Sequence, residues 1–279
     1  EVGIETKDLT FDDYLFLRGL ALLVESLYNG RPFSEFFRYA KIFDIKLASL
    51  LNNIYENISN APIEVQTVMS EFAKETKGEL WNSEEKLVEH HSKDENYYKL
   101  KNGLIGGNLI FKYKSISLVE TGLSWISFFE KQLYKAVAEK QKDIISTDLI
   151  KEEISEIAKF CRLKINGLLK SSADTRPIEA KFKFNILKWI DEGCYKRLKE
   201  YKVYPHEEIL VFEFTKEQIN MRKDFFKRYG TSINSLSKIV TRISNLESQF
   251  RKVRYKNDLF LRDIYKKVGE NFVKYALSN

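Results

Sequence analysis

Residues 11–28 constrain the fold more than any other stretch of this chain. Phe11, Tyr14, Leu15, Leu17, Leu20, Leu22, Leu23, Val24, Leu27 and Tyr28 leave almost no polar face on a helix. A helix that is apolar nearly all round needs cover on several sides, so the spacing predicts a central rod with later helices packed about it. Thr10, followed by Asp12 and Asp13, supplies a hydroxyl for the first free amides and carboxylates for the positive helix end. Asn29 and Gly30 predict the stop, and Pro32 suits the first turn of a following helix. Ahead of the rod, Val2, Ile4 and Thr6 alternate as a strand would. The chain opens without Met and in the middle of that pattern, so the expectation is a piece of a longer protein whose earlier part owns the strand.

Only four Pro and twelve Gly occur in 279 residues, which favours helices over a sandwich of short strands. Aromatics make up 14 % and predict a large core. The expected fold class is therefore mainly α: a multi-helical bundle or array with a small two- or three-stranded β element. It is expected as a single mostly helical domain over 1–279, with 1–120 and 121–279 as the natural sub-units. No apolar run reaches the roughly 18 residues that cross a bilayer, because Arg18 and Glu25 interrupt the nearest candidate. Nothing resembles a secretory leader. Cys161 and Cys194 are the two thiols and lie far apart in sequence, a pattern of free cysteines in a reducing compartment. A cytoplasmic protein with no membrane partner is expected.

Helical spacing recurs at 32–43, 45–58 and 62–77. Residues 79–120 break the pattern. A polar helix starts at Asn82 and Ser83, and Gly103, Gly106 and Gly107 punctuate the chain beyond it. Leu109–Tyr113 and Ile116–Leu118 then read as short strands or extended crossings. Helices resume at 122–140 and 143–170. Two strand-then-helix segments come next, 180–186 leading to a helix over 187–201, and 209–214 leading to a helix over 215–229. Thr215 and Gln218 form a capping box for the second. The two strands are expected to pair, since a lone strand leaves its backbone groups unmet. A stripe from Ile233 through Leu236, Ile239, Val240, Ile243, Leu246 and Phe250 to Val253 predicts one long helix over 232–256, and a last helix comes at 259–277.

Candidate sites are few. Glu89, His90, His91, Asp94 and Glu95 contain ligand types, yet neighbouring His side chains on a helix diverge by about 100°, so a solvated helix end is expected rather than a metal site. His206, next to Pro205, reads as a turn residue. Gly103–Gly107 lacks the Lys and Ser/Thr of a phosphate cradle and reads as a turn. Asp12, Asp13, Glu84 and Glu85 sit at helix starts, where capping accounts for them. The overall charge is +6, but residues 196–279 hold 19 Lys+Arg against 10 Asp+Glu. Arg251, Lys252, Arg254 and Lys256, with Arg242 and Lys238 earlier on the same helix and Phe250 and Tyr255 between, form the best basic patch. A nucleic-acid surface and a solvated helix face are both open for it, the second about twice as common.

Two stretches resemble a known family. ETKDLTFDDYLFLRGLALLVESLYNGRPF at the start, and ILVFEFTKEQINMRKDFFKRYGTSINSLSKIVTRISNLESQFRKVRY preceded by FNILKWIDEG, resemble the C-terminal region of cobalamin-binding radical S-adenosylmethionine proteins. In that family a cobalamin-binding domain precedes a catalytic barrel whose iron–sulfur cluster sits on CxxxCxxC, and a largely helical region comes after it. The resemblance spans both ends of the chain. No CxxxCxxC, no cobalamin-ligating DxHxxG and no Gly-rich phosphate loop occurs here, so no catalytic, cofactor-binding or metal residue carries over. What the resemblance implies is an accessory domain that docks on the barrel of its own chain and shapes substrate access. The parent would hold the cluster, S-adenosylmethionine and cobalamin, and this fragment, inactive alone, would bind none of them. Phe11, Tyr14 and Arg18 are expected at the interdomain contact, and hence partly exposed in the fragment. The alternative from another class is a helical nucleic-acid-binding or scaffolding protein using its basic C-terminal third.

Overall fold

The computed structural model describes residues 7–81, 83–101, 105–140, 147–203 and 207–257. Four expectations lie outside them: the strand at 2–6, the start of the polar helix at Asn82, the turn at His206 and the helix at 259–277. Within them the fold is mainly α, twelve α-helices with one small antiparallel sheet.

Helix α1, Phe11–Leu23, begins where Thr10 and Asp13 cap each other's backbone amides. The helix then widens into a π turn, Val24–Asn29. Its stop is not the one anticipated. Gly30 keeps a negative φ of −82°, and the left-handed residue is Arg31, at φ 55°. Pro32 precedes α2, Ser34–Ile42, rather than opening it. Helix α3 is Leu47–Glu56 and α4 is Ile63–Gly78. Gly19 allows α1 and α3 to approach closely: a Cβ there would lie 2.5 Å from the Tyr55 ring.

Helices α5, Glu84–His91, and α6, Asp94–Lys101, pack on each other and bury no residue completely. Helix α7, Leu109–Ser115, continues through a second π turn, Ile116–Glu120. This corrects the strand reading of Leu109–Leu118. The segment is rich in β-branched and aromatic residues, but Asn108 caps the amide of Phe111, and Lys112 and Tyr113 reach Glu75 of α4. Tertiary anchoring from a helix overrides the weak strand propensity.

Helices α8, Gly122–Lys140, and α9, Thr147–Lys164, form the middle of the molecule. Trp125, Phe128, Phe129 and Leu133 of α8 are buried, as are Ile150, Ile154, Ile157 and Phe160 of α9. Phe129 stacks on Phe36 of α2, ring centres 4.8 Å apart. The central rod expected of residues 11–28 is thus supplied by α8 and α9. On α1 only Gly19, Leu22 and Leu23 are buried, while Phe16 and Leu17 face outward.

Strand β1, Ile178–Phe182, pairs with β2, Glu208–Glu213, as expected, and β3, Lys252–Tyr255, extends the sheet in the order β1-β2-β3. Ile178 lies opposite Phe212, and Leu210 opposite Tyr255. The helix read over 187–201 is short. Helix α10, Ile186–Asp191, stops at Gly193 (φ 84°) and Cys194 (φ 59°), and one 3-10 turn comes after it at Leu198–Tyr201. Helix α11, Lys216–Tyr229, has the predicted Thr215–Gln218 capping box and ends at Gly230, φ 86°. The long helix over 232–256 is overturned. Helix α12, Ile233–Arg242, gives way to a 3-10 turn at Leu246–Gln249 and then to β3. One continuous apolar core runs from Leu22 of α1 to Phe250.

Candidate functional site

The N-terminal half of α1 buries none of its residues completely. Phe11, Tyr14 and Arg18 are each partly exposed. Phe16 and Leu17 between them are 37 % and 49 % exposed. Phe11 stacks on Tyr14, centres 6.4 Å apart. Phe16 meets Tyr55 of α3 edge-on at 5.0 Å. The Arg18 guanidinium lies 5.7 Å from the centre of the Phe72 ring, and its Nε is enclosed without a hydrogen-bond partner among the described residues. Beside this face runs a groove of about 500 Å³ between α1, α3 and α4, lined by Leu15, Tyr55, Ile58, Ile63 and Met69. Ile63 on its rim is 68 % exposed. A second apolar surface, not foreseen from the sequence, lies on the α5–α6 pair, where Val88, Tyr97 and Leu100 face outward.

The basic patch is not a patch. With the long helix broken, Arg242 stays exposed at the end of α12, while the other four lie on or beside β3. Arg251 is buried and donates to the backbone carbonyls of Asn166, Asp174, Arg176 and Phe212. Arg254 pairs with Glu213 at 2.9 Å, and Lys256 with Glu179 at 2.7 Å. Lys252 alone of the four is exposed without an ion pair among the described residues. Internal bonding therefore engages three of the five cations.

Two buried polar centres tie α2 to α9. Glu153 of α9 is fully buried. It accepts hydrogen bonds from Tyr39 Oη at 2.5 Å, from Arg197 Nη2 at 2.6 Å and Nε at 3.1 Å, and from the Lys199 amide at 2.5 Å. Burial, then the Glu153 carboxylate, pushes the Tyr39 hydroxyl well above its ordinary range. Elsewhere along α9, Glu35 accepts from Lys164 Nζ at 2.6 Å and from Cys161 Sγ at 3.4 Å. Burial, then the neighbouring Glu35, pushes the Cys161 thiol far up. Every strong acceptor in these centres is matched, which marks them as structural.

The two thiols do not fit an iron–sulfur cluster. Cys161 and Cys194 are both buried. Cys161 donates to Glu35, and Cys194 accepts from Arg38 at 3.8 Å. No group of three metal-ligating side chains occurs among the described residues. His90 packs on Trp81 with ring centres 4.6 Å apart, and His91 meets His90 edge-on. No helix among the described residues is long and apolar enough to cross a membrane.

Another space is both polar and aromatic. A cleft of about 750 Å³ opens between the π turn after α1, helix α2 and the start of α3. Ser34, Phe37, Arg38 and Lys41 line one wall. Their spacing of three, four and seven puts them on one face of α2, opposite the buried Glu35, Phe36 and Tyr39. Tyr28, Arg31, Asp44 and Lys46 complete the rim. The sequence did not reveal this cleft, because its rim turns on Arg31 and Asp44, two non-glycine residues at φ 55° and 54°.

No protein-family model matches the chain, and no curated protein or solved structure shows significant similarity to it.

Proposed function

We propose that this chain is a helical accessory domain that docks on the catalytic barrel of a cobalamin-dependent radical S-adenosylmethionine enzyme and shapes access to its substrate. The observation that carries the reading is the uncovered face of α1, where Phe16 and Leu17 stand in the open between the half-exposed Phe11, Tyr14 and Arg18. A helix start bearing four large apolar side chains that are not fully covered is shaped for a partner surface. The apolar groove beside it extends the contact. The reaction itself belongs to residues outside this chain, and the domain contributes shape and cover.

The test has two parts. Extending the reading frame ahead of Glu1 is expected to uncover three closely spaced cysteines in a CxxxCxxC pattern, and a frame opening at Glu1 would end the proposal. In the full polypeptide, Phe16→Asp with Leu17→Asp is expected to leave the helical content of the domain intact and to lower substrate turnover. Unchanged turnover would remove α1 from the contact.

A further inference from the structure

We propose that the cleft between the π turn, α2 and α3 binds a small anion that carries a planar ring, of the nucleotide class. This goes beyond the docking reading and stands on separate residues. Four basic side chains, Arg31, Arg38, Lys41 and Lys46, line the cleft against one carboxylate, Asp44. Arg31 has a partner, Glu247 at 3.5 Å. Arg38, Lys41 and Lys46 make no ion pair among the described residues, whereas Lys114, Arg162, Lys164 and Arg197, packed on the same helical core, each have one. Unneutralised cations converging on a concave surface raise the local concentration of anions, and phosphate oxygens are the acceptors that guanidinium and ammonium groups meet best.

The ring is placed by Tyr28 and Phe37. They meet edge-to-face at 5.3 Å, and Tyr28 remains 43 % exposed at the cleft. Tyr28 stands on the π turn, where its neighbour Leu27 is buried and Tyr28 is exposed. The volume, about 750 Å³, lies in the range of small-molecule pockets. Two left-handed residues shape the rim, Arg31 and Asp44. Each follows a helix end: the Arg31 amide returns to the Tyr28 carbonyl, and the Asp44 and Ile45 amides return to those of Lys41 and Ala40, so capping fixes the rim.

The experiment is calorimetric titration of the chain with ADP, pyrophosphate and adenosine at one fixed ionic strength. ADP is expected to bind one site more tightly than pyrophosphate. Lys41→Ala with Lys46→Ala is expected to weaken ADP and pyrophosphate by about 10-fold or more while leaving adenosine alone, the size of one or two charge-assisted hydrogen bonds. Tyr28→Ala is expected to weaken ADP by about 10-fold, the worth of one stacked ring, and to leave pyrophosphate unchanged. All three side chains are exposed, so these variants keep the fold, and Lys252→Ala serves as the matched surface control. The proposal is overturned if ADP shows no saturable binding at millimolar concentration, or if Lys252→Ala weakens ADP as much as the cleft variants do. Pyrophosphate binding as tightly as ADP would overturn it too, as would a single-stranded oligonucleotide outcompeting ADP in a steeply salt-dependent way.

Discussion

Arg251 lies with its guanidinium carbon 4.3 Å from the centre of the Phe214 ring, and Arg222 approaches the same ring at 4.4 Å. Both arginines are buried and neither makes an ion pair among the described residues, although the Asp174 carboxylate acts on Arg251 from nearby. Their charges are met by backbone carbonyls of the 166–176 loop, Arg222 by those of Gly167 and Lys170, and by the negative face of the aromatic ring. Burial, then the charge of Arg251, lowers the Arg222 guanidinium to about 10. Arg251 is thus the clamp that fixes this loop against β2. Arg251→Ala orphans four carbonyls at once and is expected to destabilise the chain by about 3 kcal/mol or more in urea unfolding. Lys252→Ala, one residue on and exposed, is expected to stay within about 0.5 kcal/mol. Equal effects at the two positions would restore Arg251 to the surface.

Glu153 carries the other buried load. Four donors converge on it, two of them from Arg197, which is itself mostly covered. Removing the acceptor leaves a guanidinium out of water with no counter-charge. Glu153→Ala is therefore expected to cost about 3–5 kcal/mol by urea unfolding. Tyr39→Phe deletes one donor and leaves the ion pair in place, so about 1 kcal/mol is expected. A small cost for Glu153→Ala would mean that water reaches Arg197 in the variant.

The signals that were legible in the sequence are local ones. Thr10 with Asp13, and Thr215 with Gln218, cap their helices because the bonds close within one turn and need nothing from the rest of the chain. Strand β2 was legible because Ile209, Leu210, Val211 and Phe212 are too apolar and β-branched for a surface turn. Strand β3 was not. The stripe from Ile233 to Val253 keeps helical spacing, and nothing local announces a break. What breaks it is tertiary: the amide of Arg251 donates to the Lys164 carbonyl at 3.0 Å, and Gln218 of α11 reaches the Ser248 and Phe250 carbonyls. The functional surfaces divide the same way. The exposure of Phe11, Tyr14 and Arg18 was anticipated from a resemblance, whereas the cleft at Arg31 and Asp44 depends on backbone angles that no residue type advertises.

Both thiols are shielded by the fold. Cys161 is fully buried on α9, and Cys194 sits beneath Arg38 with 4 % of its surface exposed. Burial is the leading cause that raises both thiols, and a protonated, covered thiol is a poor nucleophile. A disulfide-exchange reagent such as Ellman's is expected to react with neither cysteine in the native protein and with both once urea unfolds it. Rapid labelling of Cys161 in the native state would mean that α9 opens locally.

The same burial gives stability an alkaline limb. In the unfolded chain the Cys161 thiol and the Tyr39 hydroxyl ionise near their ordinary values of 9.0 and 10.0. In the fold both are held above those values by burial and by the carboxylates they face, Glu35 and Glu153, with Lys164 and Arg197 opposing. Between the unfolded and folded values of each group the folded chain binds more protons than the unfolded one, so raising the pH favours unfolding. Stability from these groups is complete below about pH 9 and declines above it, by up to about 1.4 kcal/mol per pH unit for each group ionising in the unfolded chain. Arg197 remains charged through this window and does not reverse the sign. Urea midpoints followed from about pH 8 to about pH 10.5 are expected to fall steadily in the native protein. Cys161→Ala combined with Tyr39→Phe starts lower, having lost packing and one hydrogen bond, but its alkaline decline is expected to be shallower because both titrating groups are gone. Parallel profiles for the two proteins would show that these residues ionise in the fold as readily as in the open chain, and that the Glu35 and Glu153 centres admit water.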